Sequence, residues 1–460
     1  MVVQRTSSSA REGWNRLIGL APWRLAVLVF AIAFAVRVTG VIGSHQYHNL
    51  ERYELERTAI SLAQTGVYGN PYALPTGPSA HVSPGYVLIL AAVFKIFGTS
   101  TTGELAKQIL ASAVTALQAA LIPLVARPLR LDIRAGLLAA TFCAVFPLKF
   151  GTETMGDWET PYTAIALMMV SVLMARIYRS SRFSTRDAVL AGFVWGISVL
   201  FAGLLLALFG AFLLVNLVAA SRKDRPGYLR FCLIQCLIVA VCLAPWAIRN
   251  DRALGTPILT RTNLGIELQV SNNDIANADE HLNLVRGVYR TYHPFQSPDE
   301  ALKLAKIGEV TYNRQAEKKA LIWIREHRKR FFYLTMQRAG LFWFYMNPSM
   351  PLPQRMKFGS LALIHLIGLL GLVRLFRRNP RTAYVFAVIL AVYPILNYFV
   401  HVGPRQSYPV DWILDLLMCT ALVRFSTAIF RQERFGLSDR MLALPEDHRL
   451  ADPVLPRQIC

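Results

Sequence analysis

Three glutamates, Glu51, Glu54 and Glu56, follow directly after the first long apolar run, and Glu153, Asp157 and Glu159 crowd the short stretch GTETMGDWETP at 151–161. A carboxylate can take the proton from a hydroxyl as that hydroxyl attacks carbon, and a neighbouring carboxylate can position the reactants. Far along the chain, Arg405 offers a guanidinium able to grip phosphate with two hydrogen bonds and to offset charge on a departing group. His401 stands one helical turn before it and Tyr408 three residues after. Lys149 and Arg249 are further cations beside the acidic stretches, and His81 joins the candidate substrate ligands. Carboxylates near fixed cations suit transfer of a group from a phosphate-bearing donor to a hydroxyl.

Each feature also has a plainer reading. With 50–63 as a helix, Glu51, Glu54, Arg57, Thr58 and Ser61 share one arc, which would be a solvated face with a Glu54–Arg57 pair. Arg405 could bind lipid headgroups. His45, His48 and His81 fit no zinc spacing, and no G-x-G-x-x-G or G-x-x-x-x-G-K phosphate loop is present. No protein metal ligand is assigned; a divalent cation stays open, although Glu54 and Glu56 diverge on a helix.

The elements that must position these groups are membrane helices. Of the 460 residues 54% are hydrophobic, with a formal charge of +21, and apolar runs recur at roughly 25–43, 107–126, 133–150, 160–178, 187–203, 204–220, 229–247, 358–375, 382–399 and 410–429, each near the ~20 residues that a crossing requires. Gly203 marks the turn between the fifth and sixth. The loops 127–134, 176–186, 221–230 and 374–381 are strongly basic, and ten crossings from a cytoplasmic start place all of them inside. This gives an all-α polytopic protein with a basic cytoplasmic N-terminus (1–24), a transmembrane domain (25–430) and a basic cytoplasmic tail (431–460). Outer loops fall at 44–106, 151–159, 248–357 and 400–409. Two apolar stretches too short to cross comfortably, 84–98 and 331–346, carry Lys95 and Arg338 and read as interfacial helices. Ser297, Pro298, Asp299 and Glu300 spell a helix start. Five of the six cysteines lie in apolar runs and Cys460 ends the chain, so no disulfide framework is expected.

The order of helix, acidic loop, interfacial helix, second acidic loop and bundle resembles the GT-C glycosyltransferases of family 39 type. That group includes the dolichyl-phosphate-mannose protein mannosyltransferases and the aminoarabinose transferase of lipid A. It resembles still more closely the bacterial enzymes named after the rhizobial lipopolysaccharide galacturonosyltransferases. Four elements carry the likeness over about 20–425: Glu51 ahead of Ala59, Leu62, Gly66 and Tyr68; Pro84-Gly85-Tyr86 with Phe97-Gly98; Pro245, Trp246, Arg249 and Asn250; and Arg405 with Pro409. The resemblance implies a GT-C-like bundle of about ten transmembrane helices plus interfacial ones. It also implies inverting sugar transfer from a polyprenyl-phosphate donor, outside the cytoplasm and with no nucleic acid involved. It makes Glu51 the catalytic base, puts Asp157 or Glu159 at the site, and makes Arg405 a lipid-phosphate ligand. Two details differ: the family's first acid is usually aspartate, and its R-Y-x-x-P reads R-Q-S-Y-P here, moving the tyrosine to Tyr408.

The expected function is therefore a multi-pass inner-membrane glycosyltransferase moving a hexosyl or pentosyl group to a lipid, glycan or protein acceptor. Glu51, Asp157 and Glu159 would be the catalytic acids and Glu54 a substrate ligand, while Lys149 and Arg249 would help Arg405 hold phosphate. The rival is a transporter or flippase of lipid-linked sugars. Transporters place charge near the midplane within repeated halves, whereas here Arg37 and Asp415 are the exceptions and no two halves look alike.

Overall fold

The computed structural model describes residues 22–180, 183–219, 225–346 and 350–423. Most of residues 1–24, the tail 431–460, Cys460 and parts of the basic loops 176–186 and 221–230 lie outside the described residues. Among the described residues the chain is helices and loops, with no strand. Six helices among the described residues are long and apolar enough to cross a membrane: Pro22–Ser44, Thr101–Ala126, Thr160–Ile177, Arg225–Leu254, Leu352–Arg378 and Pro380–Phe399. The expected spans at 133–150, 187–203, 204–220 and 410–429 are occupied by shorter helices: Ile133–Val145, Thr185–Phe201, Leu205–Ala219 and 408–423, the last reaching the limit of description. Ala202, Gly203 and Leu204 break the chain between two of them.

Small residues set the packing. Lipid is as apolar as leucine, so helices gain by close approach where side chains are short. A Cβ at Gly192 would lie 2.6 Å from Ile238, and one at Gly196 the same distance from Cys242, so the G-x-x-x-G stripe seats Thr185–Phe201 on Arg225–Leu254. Gly368 and Gly371 likewise receive Leu414 and Leu417 of the last helix. Ala26, Ala33, Ala116, Ala119, Ala135 and Ala139 serve the same purpose among the early spans.

Polar segments join at one end of this bundle. Residues 248–357 form short helices, among them Leu264–Ser271, Glu280–Val285, Val288–Tyr292 and Pro298–Ile307, then the longer Glu309–Glu326 and Arg328–Trp343. Ser297 accepts from the Glu300 N–H, capping its helix as expected. Arg338, the basic residue inside the apolar stretch 331–346, is buried. Its guanidinium donates to the carbonyls of Ser271 and Phe399 and to Asn272 Oδ1. Both carbonyls close helices, where the dipole end is negative, so Arg338 ties Leu264–Ser271 to the end of the Pro380–Phe399 span. A second tie is main-chain: the Val402 N–H donates to Ala278 and the Glu280 N–H to Val402, at 2.9 and 3.0 Å.

The first loop differs from expectation in one respect. Its helix runs Glu54–Thr65, with Tyr53 at the N-cap and the Glu56 carboxylate reaching back to the Tyr53 N–H at 3.2 Å. Glu51 thus precedes the helix, and the shared arc of Glu51 and Glu54 does not form. Nor does Arg57 pair with Glu54: it donates to the carbonyls of Arg52 and Tyr72 and lies over the Phe295 ring.

Candidate active site

A cavity of about 650 Å³ opens where the polar segments meet the bundle, and Glu54, His81, Glu159, His401 and Arg405 all line it. Five of the residues singled out in the sequence therefore come together from four separate segments. Helix geometry explains Glu54: it opens Glu54–Thr65, where an acid complements the dipole, and one face of that helix is buried. Burial pushes the Glu54 carboxyl up to about 7, into the range where a carboxylate can exchange protons near neutrality.

The remaining expected residues sit elsewhere. Glu51 is exposed and does not line the cavity. Asp157 is held at 2.9 Å by Lys107, whose ammonium also meets Glu56 at 2.5 Å and Glu104 at 2.9 Å, with Arg52 reaching Glu56 and Glu104. This buried knot fastens the first acidic loop to the second. Tyr53 lines the cavity with its ring 5.6 Å from that of Trp158, and burial, then the charges of Asp157 and Glu51, push its hydroxyl up to about 12. Lys149 and Tyr408 line a separate, smaller cavity of about 50 Å³ inside the bundle. Lys149 meets Asp411 and Ser407 at 2.6 Å, and Tyr408 donates to Gln118 at 2.8 Å. Arg249 donates to the carbonyls of Ser79 and Tyr68 and lies over the Tyr68 and Trp246 rings. It braces the first loop from outside the cavity. In the spans, Arg37 pairs with Glu153 at 2.5 Å, and Cys143 donates to Asp415 at 3.3 Å.

Arg405 is the centre of the basic side. Its guanidinium carbon lies 3.5 Å from the centroid of Trp158, and one nitrogen lies 2.6 Å from Glu280. Gln406 donates to the same carboxylate at 3.0 Å. Burial alone would raise the Glu280 carboxyl, but Arg405 and His401 outweigh it and hold it well below the usual carboxylate range. Ser271 Oγ accepts the His401 backbone N–H and lies 2.9 Å from His401 Nδ1. His401 Nε2 lies 2.9 Å from the Tyr289 hydroxyl.

Glu54, His81 and His293 each bring one ligand atom to within 4.8 Å of the others, the geometry of a candidate metal cluster. The His293 tautomer opposes it. The Phe295 N–H donates to His293 Nδ1 at 3.1 Å, which puts the ring proton on Nε2, 3.7 Å from the Glu54 carboxylate. A nitrogen carrying a proton cannot ligate, and burial keeps both rings neutral by pushing His81 and His293 down to about 3. As placed, the group suits a carboxylate beside a neutral N–H better than a metal.

Reading the sequence missed Tyr53, Trp158, Arg261, Glu267, Glu280, Tyr289 and His293, all of which line the cavity. Trp158 between Asp157 and Glu159 was the one with a visible cue, since an aromatic among polar residues in a short loop is a common ring-stacking partner.

No family model matches the chain, and no curated protein matches it in sequence. Solved structures match it in shape. The oligosaccharyltransferase AglB of Archaeoglobus fulgidus, in complex with an inhibitory peptide and a dolichol-phosphate, aligns with a TM-score of 0.51 and 15% identity over 93% of this chain and 52% of its own. The apo form of the A. fulgidus oligosaccharyltransferase gives 0.50 and 14%, over 90% and 52%. ArnT from Cupriavidus metallidurans bound to undecaprenyl phosphate gives 0.37 and 15%, over 86% and 77%. The chain spans about half the length of the archaeal structures. At such identities the likeness speaks for the fold alone: the chain is an all-α, multi-pass membrane protein that shares the fold of the archaeal oligosaccharyltransferase structures.

Proposed function

We propose that the chain is a membrane glycosyltransferase that takes a sugar from a polyprenyl-phosphate carrier, such as undecaprenyl phosphate. It would transfer that sugar with inversion to a lipid, glycan or protein hydroxyl on the extracytoplasmic face of the inner membrane. The observation that carries this reading is the pairing, across one cavity, of the acids Glu54, Glu159 and Glu267 with the Arg405 guanidinium. In support, the AglB structure holds a dolichol-phosphate.

In this mechanism the acceptor oxygen attacks the anomeric carbon as the bond from that carbon to the phosphate oxygen breaks. Glu54 takes the acceptor proton, since its carboxyl is poised near 7. Glu159 and Glu267 hold sugar hydroxyls. The phosphate leaves with the electron pair and is stabilised by Arg405, whose plane is fixed on Trp158. Leu264, Leu268, Leu284, Leu396 and Phe399 give the cavity apolar walls for the first isoprenes. Glu51, the base that the family resemblance implies, is exposed and off the cavity lining, and Asp157 is paired with Lys107.

The test gives purified protein a labelled polyprenyl-phosphate sugar and an acceptor extract, and measures lipid phosphate released. Release that stops in Glu54→Gln supports the reading. Passage of the intact lipid-linked sugar across a bilayer without release would turn it to a flippase.

A further inference from the structure

The lip of the cavity is a pair of helices whose outer faces are unlike the rest of the polar segments. On Glu309–Glu326 the buried stripe is Glu309, Tyr312, Asn313, Ala316 and Ala320. Opposite it, Arg314, Lys318, Leu321 and Arg325 recur at helical spacing, flanked by Lys319 and Ile322, and all are exposed. None of these four cations makes an ion pair with another described residue. The next helix, Arg328–Trp343, buries Leu334, Arg338 and Phe342. It exposes Lys329 and then Phe332 at 64%, Tyr333 at 54% and Met336 at 50%.

The depth of this edge is fixed by its neighbours. Phe331 stacks on Phe399 at the end of a spanning helix, with ring centroids 6.1 Å apart, and Arg338 holds the Phe399 carbonyl. Phe332, Tyr333 and Met336 therefore stand beside the end of a helix long and apolar enough to cross a membrane. Along the chain the cations Lys318 to Lys329 precede Phe332 by 3 to 14 residues. Aromatic and sulfur side chains at the acyl boundary with ammonium and guanidinium groups just above is the arrangement of an interfacial helix. Charge complementarity decides which lipid: five exposed cations, Lys318, Lys319, Arg325, Arg328 and Lys329, face only two acids, Glu317 and Glu326, over residues 317–329.

We propose that this edge is a binding site for anionic phospholipid headgroups, at the membrane interface on the side that carries the cavity. Its phosphates sit among Lys318, Lys319, Arg325 and Lys329, with Phe332 and Met336 against the acyl chains. Leu321, Ile324 and Phe331 also line the cavity, so the bound lipid forms part of the doorway through which an amphiphilic reactant enters.

The experiment uses the full chain in detergent, exchanged into mixed phosphatidylglycerol and phosphatidylcholine and examined by native mass spectrometry for retained lipid. Wild type is expected to keep phosphatidylglycerol in preference by about tenfold. Each charge removed near an anionic surface weakens binding by about fivefold before screening, so Lys318→Gln/Lys319→Gln/Arg325→Gln/Lys329→Gln should lose at least tenfold of that retention. A control, Arg374→Gln/Arg377→Gln/Arg378→Gln at the far end of the Leu352–Arg378 span, should keep this retained fraction. Equal retention of both lipids by wild type, or equal losses in the two variants, would overturn the proposal; an unchanged melting temperature in the edge variant excludes misfolding.

Discussion

The Arg405 guanidinium and the Glu280 carboxylate meet at 2.6 Å inside the cavity, with Gln406 donating to the same acid. An anion already occupies the place that the proposed mechanism assigns to phosphate. A phosphate must therefore displace Glu280 or share Arg405 with it, and like charges around one guanidinium repel. Glu280→Gln keeps the hydrogen-bonding shape and removes the competing charge. It should lower KM for the lipid-phosphate donor by roughly tenfold, about 1.4 kcal/mol. Arg405→Lys keeps a charge but loses the planar fork and the stack on Trp158, and should cut kcat by about 10²-fold. Steady-state kinetics on both variants decide the matter; a raised KM in Glu280→Gln would make the carboxylate a support rather than a competitor.

Glu51 lies three residues ahead of Glu54, outside its helix, and the two differ in their surroundings. The Glu54 carboxyl is raised to about 7 by burial, so its basic form is lost as pH falls through that value. The rate constant kcat/KM should rise tenfold per pH unit up to about 7 and level above it. Glu54→Gln should abolish both the rate and that limb, while Glu51→Gln at the exposed position should leave the limb in place. A pH profile unchanged in Glu54→Gln would return the role of base to another acid.

The helices were legible because a membrane imposes a length rule on every apolar segment: the break at Gly203 and the shorter helices at 84–98 and 331–346 could be read one by one. Part of the candidate site was legible too, since Glu54, Glu159, His401 and Arg405 stand on polar segments between apolar runs. What stayed hidden was long-range pairing. Nothing local distinguishes Glu56, which is spent on Lys107, from Glu54, which faces the cavity; one residue of helix start decides it. Lys149 resembled a phosphate ligand only until Asp411, far along the chain, was seen to neutralise it. Glu280 and His293 lay in a long polar segment whose folding depends on contacts with Val402 and Phe295's neighbours, which no periodicity announces.

Lys107 holds Glu56, Glu104 and Asp157 together while itself almost wholly shielded. Removing one partner from a buried ionic network leaves uncompensated charge and costs about 3–5 kcal/mol. Lys107→Met should therefore lower the melting temperature in detergent sharply, and Lys107→Met/Glu56→Gln should recover part of the loss. The double-mutant cycle separates this from simple loss of packing, which would show no coupling. Substrate binding should fall with stability, because the knot is what brings the Asp157-Trp158-Glu159 turn, and with it the Arg405 stack, to the first loop.

The His293 ring gives a decisive reading on metal. Its Nδ1 accepts the Phe295 N–H, and its protonated Nε2 faces Glu54. Ligation through Nε2 would require the ring to flip or that backbone bond to break. Prolonged chelation followed by assay in metal-free buffer should therefore leave turnover within about twofold of its starting value, a change of about 0.4 kcal/mol in the barrier. Collapse of activity, restored by one divalent ion and lost in both His81→Ala and His293→Ala, would show instead that the ring turns and the three side chains close on a cation. In that event Glu54 could not be the base, because a carboxylate bound to a cation is held ionised and no longer takes up a proton near neutrality, and the acidic limb of the pH profile would vanish with the metal bound.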